Sequence, residues 1–274
     1  MRRLIFAAIA ASAVVVTGAS ASAQPNCRPQ AVRDLQRLAP DAHAIYAAVA
    51  DKKFFMQWIT CDDIQMGLAT AVHETVHLLT EERDAFPLVA GGSIKRPHAV
   101  SRFYPPREIA GRFNRNSTYV QTYLMPNAAT SADDFLFLLD EFNAYAHDLN
   151  SISKLQSLPK GPGVVSHRDG LTAMMAFMSS YVQNAKEKKP QTWEGLQQPE
   201  VKKVIGTLWN QAETTLKASC GIPGIGMDDR KYISHVCQAS NTSALGELLG
   251  RPATCFSSCT SPDTAAAQGS TMVR

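Results

Sequence analysis

Apolar residues along most of this chain recur every three or four positions, the spacing that gathers side chains onto one face of a helix. Val32, Leu35 and Leu38, then Ile45 and Val49, follow it on either side of Pro40 and predict two short helices broken there. The best-marked stripe runs through Ile64, Leu68, Ala71, Val72, Thr75 and Leu79. Thr60-Cys61-Asp62-Asp63 precedes it and reads as a capping box, while Pro87 ends the helix by Phe86 at the latest. A second strong pattern, FLFLLDEFNAYAHDL, opens after Ser131-Ala132-Asp133-Asp134, and further helices are predicted over about 171–187 and 199–219.

Between 88 and 130 the periodicity dissolves into breakers: Gly91-Gly92, Pro97, Pro105-Pro106 and the polar run 114–117. Within that region TYVQTYL at 118–124 is rich in strand formers and predicts one strand. Residues 155–170, with LPKGPGVVSHRDG, read as a linker or a loop lining a cleft. The expected fold class is α+β but mainly helical, with a small sheet, two central helices and a helical C-terminal half. Residues 24–259 are expected to form a single domain, or two lobes divided near 155–170.

The first 23 residues have the three parts of a secretory signal: Arg2 and Arg3, an apolar run over 4–16, and Ala21-Ser22-Ala23 as a small-residue cleavage site. That run is short for a membrane span, so the expectation is cleavage near Ala23 and a secreted or periplasmic protein without a stable membrane span. The Ser/Thr/Ala-rich tail at 260–274 is expected to be disordered. With 27 basic and 24 acidic residues, the chain lacks the excess of positive charge that a nucleic-acid binder carries. The six cysteines, all after the signal, form an even set suited to disulfides in an oxidising compartment. Proximity in sequence suggests Cys220 with Cys237 and Cys255 with Cys259, leaving Cys27 for Cys61.

Candidate chemistry sits inside the best-marked helix, in the stretch AVHETVHLLTEE. Residues four apart share a helix face, so His73 and His77 can direct both imidazoles at one ion. Glu74 then stands beside the position where an attacking water would bind, as a general base. Two neutral imidazoles leave a zinc ion strongly cationic, which is what makes its water acidic near neutral pH.

Through HETVH the chain resembles the zincin metallopeptidases. The resemblance implies a zincin-like catalytic domain, Zn2+ held by His73 and His77, Glu74 as catalytic base, a peptide or protein substrate, and a third ligand from elsewhere in the chain. Thr80 and Arg83 stand where metzincins need Gly and His, and no G-T-x-D element of the aspzincins follows. The gluzincin type takes a glutamate from a second helix. Glu141 in LLDEFNAYAHD fits that role, on a helix whose Phe135, Leu138, Leu139, Phe142 and Tyr145 are expected to pack against the HETVH helix. The departure is at the neighbours: Asp140 precedes Glu141, and Tyr145 takes the place where the thermolysin-like pattern has Asp.

Asp140 and His147, on a face other than that of Glu141, and His98 and His167, placed in loops, are rival third ligands. Asp148 and Tyr145 are candidates to hydrogen-bond a ligand histidine from behind. Tyr104, Tyr119, Tyr123, Tyr145 and His167 are candidate donors to the oxyanion, and the 118–124 strand is a candidate edge for pairing with an extended peptide. Two other functions fit the same residues: an exported binding protein that keeps the zincin fold without turnover, and a zinc hydrolase of a non-peptide amide.

Overall fold

The computed structural model describes residues 26–161, 167–257 and 259; the segments expected as a signal and as a disordered tail lie outside them. The protein is mainly helical with one two-stranded sheet among the described residues. Three N-terminal helices, α1 (Arg28–Leu38), α2 (Pro40–Ala48) and α3 (Lys52–Gln57), lead into α4 (Ile64–Arg83), which carries the HETVH stretch. Pro40 breaks the first two as expected, because it opens α2 at a position where its missing N–H costs nothing.

The cap of α4 is not Thr60. Asp63 takes that place, its carboxylate accepting from the Met66 N–H at 2.9 Å, while the Thr60 hydroxyl donates to the Asp63 carbonyl. The helix ends earlier than Pro87 requires, at Asp84, whose left-handed backbone (φ 49°) turns the chain out. It turns into a hairpin of β1 (Ala85–Pro87) and β2 (Ser93–Lys95), with Phe86 opposite Ile94 and Gly91-Gly92 supplying positive φ in the connection.

The predicted strand at 118–124 is instead helix α5 (Thr118–Tyr123). Composition favoured a strand, but the apolar positions 119, 120, 123 and 124 fall on one helix face. Val120 and Leu124 are fully buried, and Thr118, Gln121 and Thr122 are exposed. Helix α6 (Phe135–Lys154) follows, capped by Asp134 on the Leu136 N–H at 2.8 Å. Then come α7 (His167–Lys188), α8 (Pro190–Leu196), α9 (Pro199–Ser219), α10 (Asp229–Val236) and α11 (Ala239–Leu249). His167 to Gly170, expected in a loop, form the first turn of α7, where Asp169 is an acidic residue suited to a helix N-terminus.

Helix α6 lies between two apolar clusters. Of its bulky residues expected to face the HETVH helix, Tyr145 does so, against His73, whereas Phe142 meets Trp209 of α9 and Phe135 stacks on Tyr181 of α7 at 4.0 Å. Toward α4 it turns Ala144, packed with Leu68, Ala71 and Val72 in the cluster that α1 to α3 complete. The small residue lets the two helices approach, and the polar residues flanking it meet those of α4. Helix α7 is buried on all sides from His167 to Ala185; Thr172 and Ser179 donate to carbonyls of the helix itself, while Ser180 pairs with His235 and the Tyr181 hydroxyl donates to the Tyr104 carbonyl. The hairpin is tied to α6, since Asn143 and His147 both donate to the Pro87 carbonyl at 3.0 Å.

Three disulfides brace this arrangement: Cys27–Cys61, Cys220–Cys259 and Cys237–Cys255. The first matches the expectation. The other two are nested, Cys237–Cys255 inside Cys220–Cys259, instead of joining neighbours in sequence, because the chain returns after α11 and lays residues 255 and 259 beside the ends of α10 and α9. Their Cα separations of 5.4 and 4.9 Å suit a disulfide. Such bonds fit an extracellular protein, and no helix among the described residues is long and apolar enough to cross a membrane.

The N-terminal end of α4 is locked against the loop that Cys61 anchors. A Cβ at Gly67 would lie 2.8 Å from the Thr60 nitrogen and 3.0 Å from the Ile59 Cα, both backbone atoms that cannot swing aside. Gly67→Ala is expected to cost about 1–3 kcal/mol in denaturant unfolding; an unchanged midpoint would show that this contact is slack.

Candidate metal centre

Two helices place the candidate ligands. His73 and His77 project one turn apart from α4, and Glu141 faces them from α6. The His73 and His77 Nε2 atoms are 3.2 Å apart, and Glu141 Oε2 lies 3.7 and 3.6 Å from them. These are the described residues whose ligand atoms converge as for a metal ion. A circle through three atoms with those edges has a radius of about 2.0 Å, the length of a zinc–nitrogen or zinc–carboxylate bond.

Chemistry points the same way as distance. Glu141 Oε2 is buried and accepts no hydrogen bond, a costly state for a carboxylate unless a cation stands before it. Behind His77, Asp140 Oδ2 lies 2.7 Å from Nδ1. A carboxylate there accepts a hydrogen bond from Nδ1–H and turns the Nε2 lone pair toward the triangle, as a metal-binding histidine requires. Asp140 is therefore no rival ligand. Expected on another face, it sits one position before Glu141, and the two carboxylates straddle the line along which α6 meets α4. The adjacent acids in LLDEF were the signal for this arrangement.

Electrostatics are those of a cation site. Burial works against charge on His77, yet the bonded Asp140 and the facing Glu141 lift it to about 10. Burial would raise Glu141, but the His73 and His77 rings hold it down at about 2. Tyr145 adds its ring edge-on to His73 at 4.7 Å and shares a 2.7 Å hydrogen bond with Tyr123, and burial pushes its phenol up. It braces the ligand by packing instead of bonding to it. Gly170 leaves room for that ring, since a Cβ there would fall 2.2 Å from Tyr145 Cε1.

A cleft of about 180 Å³ opens beside His73, walled by Glu74, Thr70, Tyr145 and His167. Asp148, expected behind a ligand histidine, serves His167 instead: Oδ1 lies 2.7 Å from Nδ1, and both side chains are buried. The far nitrogen of His167, Nε2, is buried without a partner at the wall of this cleft. Of the five candidate oxyanion donors, Tyr119, Tyr123, Tyr145 and His167 line the cleft. Tyr104 stacks on Tyr181 in the core, each hydroxyl donating to the other residue's carbonyl.

The remaining rival ligands lie elsewhere. Burial lowers His147 to about 4 and keeps it neutral against Pro87, and His98 bonds Asp84 at the exposed end of α4.

Metal binding here must expel the proton that Asp140 and Glu141 hold on His77. Its raised pKa means that below about 10 every unit of acidification favours the proton, so zinc affinity is expected to fall about tenfold per pH unit in chelator competition. A flat profile would count against His77 as ligand. Asp140→Asn is expected to weaken affinity by about 10- to 100-fold at constant pH. Neither a protein-family model, nor a curated protein, nor a solved structure matches this chain, so the centre has to be understood from its own residues.

Proposed function

We propose that the protein is an exported, zinc-dependent metallopeptidase of the zincin design. The observation that carries this reading is the convergence of His73, His77 and the unsatisfied Glu141 oxygen on one point beside a cleft that Glu74 lines. Zinc suits two imidazoles and one carboxylate with an open fourth position better than the harder cations, which prefer oxygen throughout. When bound, the ion supplies a Lewis acid that polarises a carbonyl and acidifies water at its open position.

The chain's own residues supply the rest. Glu74, next to His73 on the cleft wall, accepts the proton of the attacking water and passes it to the departing nitrogen. His167 faces the cleft through Nε2 while Asp148 accepts the proton on Nδ1. A ring so oriented is placed to hydrogen-bond the oxygen that gains charge as the carbonyl becomes tetrahedral. The three disulfides support a secreted or periplasmic location, where no reducing pool would open them.

Replacing the base separates an enzyme from a binding protein. Glu74→Gln is expected to keep one zinc per chain by metal analysis and to lower peptide hydrolysis by about 10²–10⁴-fold. Equal rates in wild type and variant would remove the enzyme reading. His167→Gln is expected to lower kcat by about 10²–10³-fold with KM little changed, the signature of a contact made in the transition state.

A further inference from the structure

The metal cleft does not end at His167. Tyr119, Tyr123 and Tyr145 wall it on one side and on their other side wall a groove of about 680 Å³ that runs on to Phe113, Tyr232 and Met227. Tyr119 stands at the centre of the shared wall, 6.1 Å from the Tyr145 ring and 5.9 Å from that of Tyr232, both edge to face. A groove of this size holds several residues of an extended chain.

Three observations define what fits it. First, Met66 and Met227 are the exposed large hydrophobic residues among those described, and both rim this one opening, Met66 at the metal cleft and Met227 at the groove. Together with Phe113, Tyr119 and Tyr232, Met227 gives the groove an apolar wall for a ligand side chain, and thioethers adapt to side chains of varied shape.

Second, the charged groups of the groove are already engaged. Lys231 bonds Asp228 at 2.6 Å, Asp169 accepts the Met227 and Asp228 backbone N–H groups, and Arg112 binds Gln183 and Asn184. A free terminal carboxylate or ammonium would have to break one of these pairs, whereas an uncharged stretch of chain breaks none. Third, the one sheet among the described residues follows the C-terminal end of α4, while the cleft lies along Met66, Thr70, His73 and Glu74. Among the described residues no strand edge borders the cleft, and it is side chains that line it.

Resting on the metallopeptidase reading, we propose that the protein cuts internal bonds of polypeptides beside a bulky apolar residue, whose side chain lies in the groove against Tyr119 and Tyr232.

The test separates binding from turnover. Zinc-loaded full-length Glu74→Gln protein is titrated calorimetrically with octapeptides blocked at both ends, carrying Phe, Leu or Gly at the central position. A β-linked N-acetylglucosamine hexamer serves as the ring-stacking alternative. The Phe and Leu peptides are expected to bind at least tenfold more tightly than the Gly peptide, and unblocking either terminus to change affinity less than twofold. Adding Tyr119→Ala is expected to erase the preference with zinc content unchanged. Should that variant not fold, Met227→Glu, a change at an exposed rim position, is expected to weaken the Phe peptide at least fivefold.

Equal affinity for Phe and Gly peptides, a requirement for a free terminus, or binding of the sugar hexamer alone would overturn the proposal. Wild-type digestion of a mixed peptide pool tells the two levels apart. Cuts without apolar preference overturn the groove assignment only, and absence of cuts overturns the peptidase reading beneath it.

Discussion

A carboxylate that accepts no hydrogen bond, set between two half-buried imidazoles, is the constraint around which this protein is arranged. Glu141 and Asp140 bring two negative charges to the inner face of α6, and α4 answers with His73 and His77. Without a cation the arrangement keeps a proton on His77 to balance the charge. Proton and metal compete for the same lone pair, so a site that holds the one firmly is built to hold the other. Everything that sets the crossing of α4 and α6 therefore sets the chemistry.

The two helices approach closely because Ala144 faces α4 while Phe142 and Phe135 point the other way, to Trp209 and Tyr181. Large residues on both faces would hold the helices apart and open the triangle. The close approach of Gly67 to the backbone of residues 58–60 fixes the start of α4, and the hairpin, bonded to Asn143 and His147, fixes its end. Preorganisation of this kind lets a metal site form without reordering its ligands.

Around the ligands, support comes in two chemically different forms. Asp140 sets the tautomer of His77 by a hydrogen bond, whereas Tyr145 holds His73 by ring packing and is itself held by Tyr123 and the space at Gly170. The pair of Asp148 and His167 repeats the first form outside the triad, orienting a ring whose far nitrogen faces the cleft. In each pair the carboxylate comes from α6. One helix thus carries a ligand, the group that orients a second ligand, and the group that orients the cleft histidine.

Much of this was legible in the chain itself. Helix periodicity marked α4, α6, α7 and α9, and the i, i+4 spacing of His73 and His77 put them on one face, because both facts depend only on local geometry. That Glu141, far along the chain, completes a triangle with them was an expectation drawn from resemblance; their convergence was settled by the packing of α6 on α4. The structure alone showed Asp140 behind His77, Asp148 serving His167, and two nested disulfides, since each depends on residues distant in sequence meeting in space. At 118–124 residue preferences pointed to a strand, but burial of Val120 and Leu124 on one face makes a helix: local propensity is worth a few tenths of a kcal/mol per residue, and burying a side chain is worth about 1.5–3 kcal/mol.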